Sequence, residues 1–395
     1  MHQGKFIFAQ IVEFVPRYLF DQCVRKYKGD SRIRQLNCRD QFLAMMFGQL
    51  TNLRSLRGIV LCLNAHAKQL YHLGFKTNKF VLSTLTRANE NRDFRIYQDL
   101  AQLLIKKARK LYLNDHNFDI DLKGALYILD STVIELCLSV FRWAKFERDS
   151  AAIKIHTQLD LRANIPSFFL ITTAKTHDVN ILDVIEIEVG AYYIMDRGYV
   201  DFERLYQINS APAFFIIRSK KSLSFIRLYS NQVDKSSGVR CDQIIRLRHF
   251  YSGKKYPDKL RRIKYYDQET NRYYVYLTNN FRLDAKIIAD LYKHRWQIEL
   301  FFKWIKQHLY IQVFWGTSAN AVKTQICIAV CTFLVIAILK KQLKIERNLH
   351  EILQILSVCQ LEKTPINTVL FEVDPPNFKD QIQKQQCLWD ILTQH

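Results

Sequence analysis

Apolar positions along the chain fall into distinct textures. Near the start they recur at helical spacing: "KFIFAQIVEF" leads to Pro16, "RYLFDQCVRKY" follows it, and "RDQFLAMMFGQL" makes a third segment. Proline pre-sets the first turn of a helix, so Pro16 predicts the opening of the second. The stretch "STLTRANENRDFRIYQDLAQLLIKKARKLYL" (83–113) predicts a small helical turn and one long amphipathic helix. At residue 124 the period changes. "GALYILDSTVIEL" is a continuous apolar run with β-branched members, as a central strand requires. "AAIKIHTQLDL" and "SFFLITTAKTH" flank the turn "RANIP" and predict a hairpin. "NILDVIEIEV" returns to helical spacing, and "AYYIMDRGYV" is a second short apolar strand. The order is β-β-β-α-β. A crossover into a parallel strand then brings the last strand beside the first.

Residues 210–283 form another block, rich in β-branched and aromatic residues, with "RRIKYYDQETNRYYVYLTNN" reading as a hairpin turned at "DQETN". Beyond it, "LYKHRWQIELFFKWIKQHL" (291–309) reads as one helix whose core face is Leu291, Ile298, Phe301, Phe302, Ile305 and Leu309. At ~100° per residue, Tyr292, Arg295, Glu299 and Lys306 fall within about 60° of one another on the opposite face. Such a stripe is either solvated surface or a grip for phosphates with an acid at its centre. The longest apolar run, "ICIAVCTFLVIAIL" (326–339), is shorter than the ~20 residues of a membrane span and predicts a buried helix instead.

Composition narrows the partners. The 395 residues carry a formal charge of +21, which points to a polyanion, nucleic acid or an anionic membrane surface. Fourteen Lys or Arg lie between Arg218 and Lys264 against three acids, with Phe225, Tyr229, Phe250, Tyr251, Tyr256 and Tyr265 threaded among them. Cations for phosphates and flat rings for unstacked bases are what a DNA-gripping β platform needs, though edge lysines also serve to discourage aggregation. Nine scattered cysteines without a CxxC pair read as buried thiols of a reducing cytoplasm, and a zinc site is not expected.

Two acids interrupt apolar strands. Asp130 sits inside "YILDSTV", where a carboxylate is costly unless paired or metal-bound, and Asp196 ends "YIMDRGY" before Gly198. If their strands are neighbours, both lie at one sheet edge, and Glu299 from the helix stripe completes a three-carboxylate cluster. Such a cluster requires cations, and hard divalent ions fit oxygen ligands best. Two Mg²⁺ ions, with Mn²⁺ as a substitute, would then activate a water or 3′-hydroxyl for phosphodiester transfer.

The pattern Tyr292-x2-Arg295-x3-Glu299-x6-Lys306, with "LDST" at Asp130 and "DRGY" at Asp196, resembles the transposases of bacterial insertion sequences, specifically the insertion-sequence-four family. The resemblance covers about 124–340, and residues 1–75 resemble the helical domain often fused to such enzymes. It implies an α/β, ribonuclease-H-like catalytic domain interrupted by a β-rich insertion and preceded by an all-helical N-terminal domain. The expected boundaries are 1–75 for a helical DNA-binding domain, 76–123 for a helical connector, 124–209 and 284–345 for the two parts of the core, 210–283 for the basic insertion and 346–395 for a C-terminal helical region. It implies Asp130, Asp196 and Glu299 as the metal-binding catalytic acids, and Tyr292, Arg295 and Lys306 as phosphate contacts. Within the insertion, Arg218, Lys220, Lys221, Lys254, Lys255, Arg261 and Arg262 are the expected DNA contacts. Partners implied are the terminal inverted repeats, target DNA and a second copy in a homodimer, in a cytoplasmic, nucleoid-associated bacterial protein without a membrane. The five tryptophans fall at 143, 296, 304, 315 and 389, so the insertion carries none of the kind on which some members stack a flipped base during hairpin excision. A catalytically inactive DNA-binding repressor and a metal-dependent nuclease are the alternatives to cut-and-paste transposition.

Overall fold

The computed structural model describes residues 4–31, 33–112, 122, 124–308, 311 and 313–371. Leu309 and residues 372–395 of the expected C-terminal region lie outside them. The chain opens with helices α1 (Ile7–Val12), α2 (Arg17–Lys26), α3 (Cys38–Leu50), α4 (Leu56–Ala65), α5 (Leu82–Asn91) and α6 (Arg95–Tyr112). Pro16 precedes α2 as expected, and Asn37 and Ser55 cap α3 and α4 by accepting from Asp40 and Gly58 backbone N–H groups. Helix α3 is buried all round and therefore carries polar groups that satisfy one another. Gln41 donates to Asn89 at 2.7 Å and accepts from Arg92 and Tyr97 at 2.8 and 2.9 Å, while buried Asp40 accepts from the Lys76 and Thr77 backbone.

Strands β1 (Leu126–Leu136), β2 (Ala151–Asp160), β3 (Ile165–Thr173), β4 (Tyr192–Met195) and β5 (Phe214–Arg218) follow, with α7 (Phe202–Ser210) between the last two. Then come β6 (Phe225–Asn231), β7 (Val239–Leu247), α8 (Phe250–Lys255), β8 (Leu260–Asp267) and β9 (Arg272–Thr278). Helices α9 (Ala285–Lys293), α10 (Trp296–His308), α11 (Ala319–Gln342), α12 (Leu349–Cys359) and α13 (Ile366–Leu370) close the described chain.

All nine strands form one sheet in the order β3-β2-β1-β4-β5-β9-β8-β7-β6. β1, β2 and β3 are antiparallel, and β1, β4 and β5 are parallel. That is the ribonuclease-H-like arrangement, and the expected neighbouring of the first and last strands holds. The fifth strand comes from the block assigned by sequence to the basic insertion: β5 pairs in parallel with β4. The antiparallel ribbon β9-β8-β7-β6 extends the same sheet from β5.

Two expectations are corrected. "NILDVIEIEV" (180–189) does not form the expected α-helix: its first residues belong to a 3₁₀ segment, Asp178–Asp183, and the rest reaches β4 without a helix. The helix expected over 291–309 is two helices, α9 and α10, broken at His294–Arg295 where the His294 and Arg295 N–H groups bond back to Leu291 and Tyr292.

Helix α11 holds the apolar run 326–339 and is buried almost throughout, packed against α3, α5 and α6. Its surroundings are protein, as the length of the run predicts. One core runs from Phe6 through α11 to Leu370, so helices from both ends of the sequence share it. Helix α10 is fastened to α11 by Phe301 and Trp304, whose rings lie 5.6 and 4.9 Å from that of Phe333.

Candidate active site

The parallel register of β1 and β4 pairs Leu129 with Met195. The next residues are Asp130, still on β1, and Asp196, just past the end of β4, so neighbouring strands, about 4.8 Å apart, deliver two carboxylates side by side as the pairing ends. Gly124 makes this close approach possible at the start of β1: a Cβ there would lie 2.0 Å from the Gly190 carbonyl oxygen. The third acid arrives on α10. Arg295, at the break before that helix, donates to Asp130 Oδ2 at 3.0 Å and to Glu299 Oε1 at 2.5 Å, tying strand to helix.

Electrostatics set the character of the cluster. Burial pushes the Asp130 carboxyl up to about 6; the Ser131 N–H and Arg295 oppose the rise, and the charges of Asp196 and Glu299 add to it. Asp130 and Arg295 side chains are 21% exposed each and Glu299 57%, so the cluster opens on the Glu299 side.

Tyr292 and Lys306 do not sit as the helical stripe predicted. Tyr292 lies in the last turn of α9, is buried, and packs its ring 4.7 Å from that of Tyr276. Its hydroxyl donates to Asp196 Oδ1 at 3.4 Å, so it props a carboxylate and presents no open phosphate contact. Burial raises its pKa, as expected of a tyrosine held neutral beside an acid. Lys306 donates to the Val133 carbonyl at 2.8 Å, further along β1, and burial lowers its pKa.

Sequence reasoning missed a fourth acid. Asp178, just beyond β3, accepts from Ser131 Oγ at 2.7 Å and Lys154 Nζ at 3.1 Å, with buried His156 Nδ1 3.8 Å away. Ser131 adjoins Asp130, so this ion-paired group buttresses the strand that carries the first acid. No local signal in the sequence marks it, because its partners come from β1 and β2. Tyr199, two residues beyond Arg197, buries a hydroxyl that makes no hydrogen bond in the described structure, among the fields of Asp130, Asp178 and Asp196.

The basic ribbon divides. Lys220, Lys221, Lys254 and Lys255 are exposed, the last 3.1 Å from Glu203. Arg218 and Arg262 are half-buried, with guanidinium groups about 5 Å above Tyr274 and Phe225. Lys264 over Tyr273 and Arg240 over Tyr266 continue this layer of cations on rings. Phe250 and Tyr251 project almost fully into solvent. Arg261 is the exception and a correction. It is buried, forms a two-pronged ion pair with Asp242 at 2.8 Å, and bonds the Asn280 and Leu283 carbonyls, so it holds β8 to β7 and cannot meet DNA.

Among the described residues no three acids, histidines or cysteines stand as a ready-made metal cage. Arg295 lies between two of the carboxylates in question. The donor set nevertheless suits a hard cation: all oxygen, partly open to solvent, with one member, Asp130, whose ionised form is disfavoured by its surroundings.

Residues 122–336, more than half of the chain, match the family model described as Transposase DDE domain, and residues 3–76 match a domain of unknown function, DUF4372. A Sinorhizobium fredii protein described as a transposase, y4zB, is 33% identical over 260 residues, 64% of this chain and 71% of that one. A Geobacillus stearothermophilus protein described as a transposase for insertion sequence element IS5377 is 27% identical over 274 residues, 68% of this chain and 70% of that one. Among solved structures, a piggyBac transposase synaptic complex with hairpin DNA aligns with a TM-score of 0.41 at 9% identity, covering 95% of this chain and 82% of that one.

Proposed function

Because this chain belongs to the Transposase DDE domain family and is a DNA transposase, we propose that Asp130, Asp196 and Glu299 are the acids with which it cuts the ends of an insertion sequence and joins them to a target. Divalent-metal dependence comes with the family. Mg²⁺, two ions, with Mn²⁺ as substitute, is our reading of an all-oxygen site required to serve both an attacking and a leaving oxygen. The observation that carries the proposal is the β1–β4 register, which sets two carboxylates side by side beneath a third from α10.

Each residue then has a task. Asp130, Asp196 and Glu299 hold the cations, which when bound supply Lewis acidity for the attacking water or 3′-hydroxyl and for the departing oxygen. Tyr292 fixes the rotamer of Asp196 through its hydroxyl, and Asp178 steadies β1 through Ser131. Arg295 carries a planar fork that matches a phosphodiester as well as a carboxylate. Lys306 uses one of its three donors on Val133, leaving the others for backbone phosphates along α10. Lys220, Lys221, Lys254 and Lys255 extend this positive track over the ribbon, with Arg218 and Arg262 adding charge from above their rings. Two copies bound to the two inverted repeats make the working unit, in the bacterial cytoplasm at the nucleoid.

The test is cleavage of duplexes bearing the inverted-repeat ends that flank the gene. Wild-type protein with Mg²⁺ should nick at the element boundary and join the freed 3′ end to a plasmid. Glu299→Gln should bind the same duplex and do neither. Wild type cutting no better than Glu299→Gln would end the assignment.

A further inference from the structure

Arg295 occupies the place where this site needs positive charge. Among the described residues it is the only cation bonded to Asp130, Asp196 or Glu299, and it holds two of the three at once. Two nearby lysines bond other groups: Lys154 bonds Asp178 and the Thr176 carbonyl, and Lys306 the Val133 carbonyl. A divalent cation entering between Asp130 and Glu299 meets a guanidinium already bonded to one oxygen of each, Asp130 Oδ2 and Glu299 Oε1. The two like charges repel at contact distance.

The arrangement is also replaceable. Arg295 sits at the head of α10, after the break that ends α9, so its side chain is not clamped in a helix interior. Its Glu299 partner is 57% exposed, and pairs with so much solvent access contribute little. The Asp130 partner is the less accessible one, its side chain 21% exposed. A guanidinium fork binds phosphate oxygens in the same geometry as carboxylate oxygens. A DNA phosphate approaching the open side of the cluster therefore offers Arg295 an equivalent partner, and frees both carboxylates as it does so.

Taking the three acids to be the metal-binding set proposed above, we propose that Arg295 is an internal counter-ion that keeps the acid cluster closed in the DNA-free protein and exchanges onto a DNA phosphate, opening Asp130 and Glu299 to divalent cations. DNA and metal then bind with positive coupling, which thermodynamics makes reciprocal. Free protein holds metal weakly, and a DNA terminus arms it.

The test reads metal binding rather than turnover: Mn²⁺ titrated into full-length protein without DNA, with free ion followed by electron paramagnetic resonance. Arg295→Gln should bind Mn²⁺ at least about tenfold more tightly than wild type, the order expected when a contacting like charge leaves a cation site. A saturating short DNA duplex should tighten Mn²⁺ binding to wild type by a similar factor and leave Arg295→Gln nearly unchanged. Equal Mn²⁺ affinity of the two DNA-free proteins overturns the proposal. If Arg295→Gln fails to fold, Arg295→Lys carries the test: the ammonium keeps the charge but lacks the planar two-pronged fork and so grips the two carboxylates less firmly. Mn²⁺ should still bind more tightly than to wild type, and equality again overturns it. Asp130→Asn added to Arg295→Gln tells the two failures apart. Loss of the tight site shows that the acids hold the ion; retained affinity shows that the acid assignment, and the counter-ion role with it, is wrong.

Discussion

Replacing Asp130 by Asn should stabilise the metal-free protein, and by an amount that depends on pH. Asn copies the protonated carboxyl in size and in its hydrogen-bonding oxygen, but never ionises. In the native protein the Asp130 carboxyl is pushed up from an ordinary 3.8 to about 6, first by burial. The sign follows from which state ionises first. Below pH ~4 both folded and unfolded chains keep the proton and the group costs nothing. Between pH ~4 and ~6 the unfolded chain releases its proton while the native one retains it, so stability falls as pH rises. Above ~6 the loss is complete. A shift of about two units corresponds to about 3 kcal/mol at ~1.4 kcal/mol per unit. With an unfolding entropy of ~2 cal/mol/K per residue over the whole chain, that is about 4 °C in Tm. Calorimetric melts of wild type and Asp130→Asn in chelator across this range isolate the effect, because the two proteins differ only at Asp130 and in the groups coupled to it. The Asn variant should gain about 3 kcal/mol between pH 4 and pH 8 relative to wild type. Adding Mg²⁺ should then stabilise wild type and leave the variant nearly where it was. A difference that stays flat with pH, or an Asn variant that falls behind wild type as pH rises, would refute the account of a buried acid held at a cost for its chemistry.

Other substitutions separate scaffold from surface. Arg261→Ala should lower stability by about 3–5 kcal/mol in a denaturant melt, because it strands a buried Asp242 without its partner. Lys220→Ala and Lys254→Ala should change stability by no more than ~0.5 kcal/mol. Each should instead lower the slope of log affinity against log salt by about 0.9 if its ammonium meets a phosphate. Tyr292→Phe should leave DNA affinity in a gel-shift titration nearly intact while slowing cleavage, since the lost hydroxyl touches Asp196 alone. Gly124→Ala should destabilise by at least about 1–3 kcal/mol in the same melts, because the added methyl meets the Gly190 carbonyl at 2.0 Å and backbone must move.

Much of this was legible in the sequence because it followed from burial. An acid inside "YILDSTV" and another closing "YIMDRGY" announce themselves against apolar strands, and the crossover rule alone sets those strands together. The helical stripe was legible only in part. Periodicity places Arg295 and Glu299 correctly because they bracket the first turn of α10, but it runs straight through a break that no Gly or Pro marks, and so misplaces Tyr292. Charge counting has the same weakness. It cannot tell Arg261, which alternation on β8 turns inward to Asp242, from Arg262, which faces outward over Phe225. Asp178 was invisible because its value depends on Ser131 and Lys154, brought near it only by the β1–β2–β3 register.

The helical region before residue 113 bears on the chemistry through packing as well as through any contact with DNA. Glu299 is positioned by α10, and α10 is held by Phe301 and Trp304 against Phe333 of α11. Helix α11 is buried in turn by α3, α5 and α6, with Gln49 and Tyr97 bonded to its Thr332 and Cys331. The backbones of Asp130 and Asp196 are set by the β1–β4 pairing, whereas the third acid answers to a stack that begins with the first helices of the chain. Any movement of those helices on binding DNA must therefore alter where Glu299 and Arg295 stand relative to Asp130, and leave Asp130 and Asp196 fixed relative to each other. The adjustable distances in the cluster are those from Glu299 to the two strand acids, and the guanidinium spans the one to Asp130.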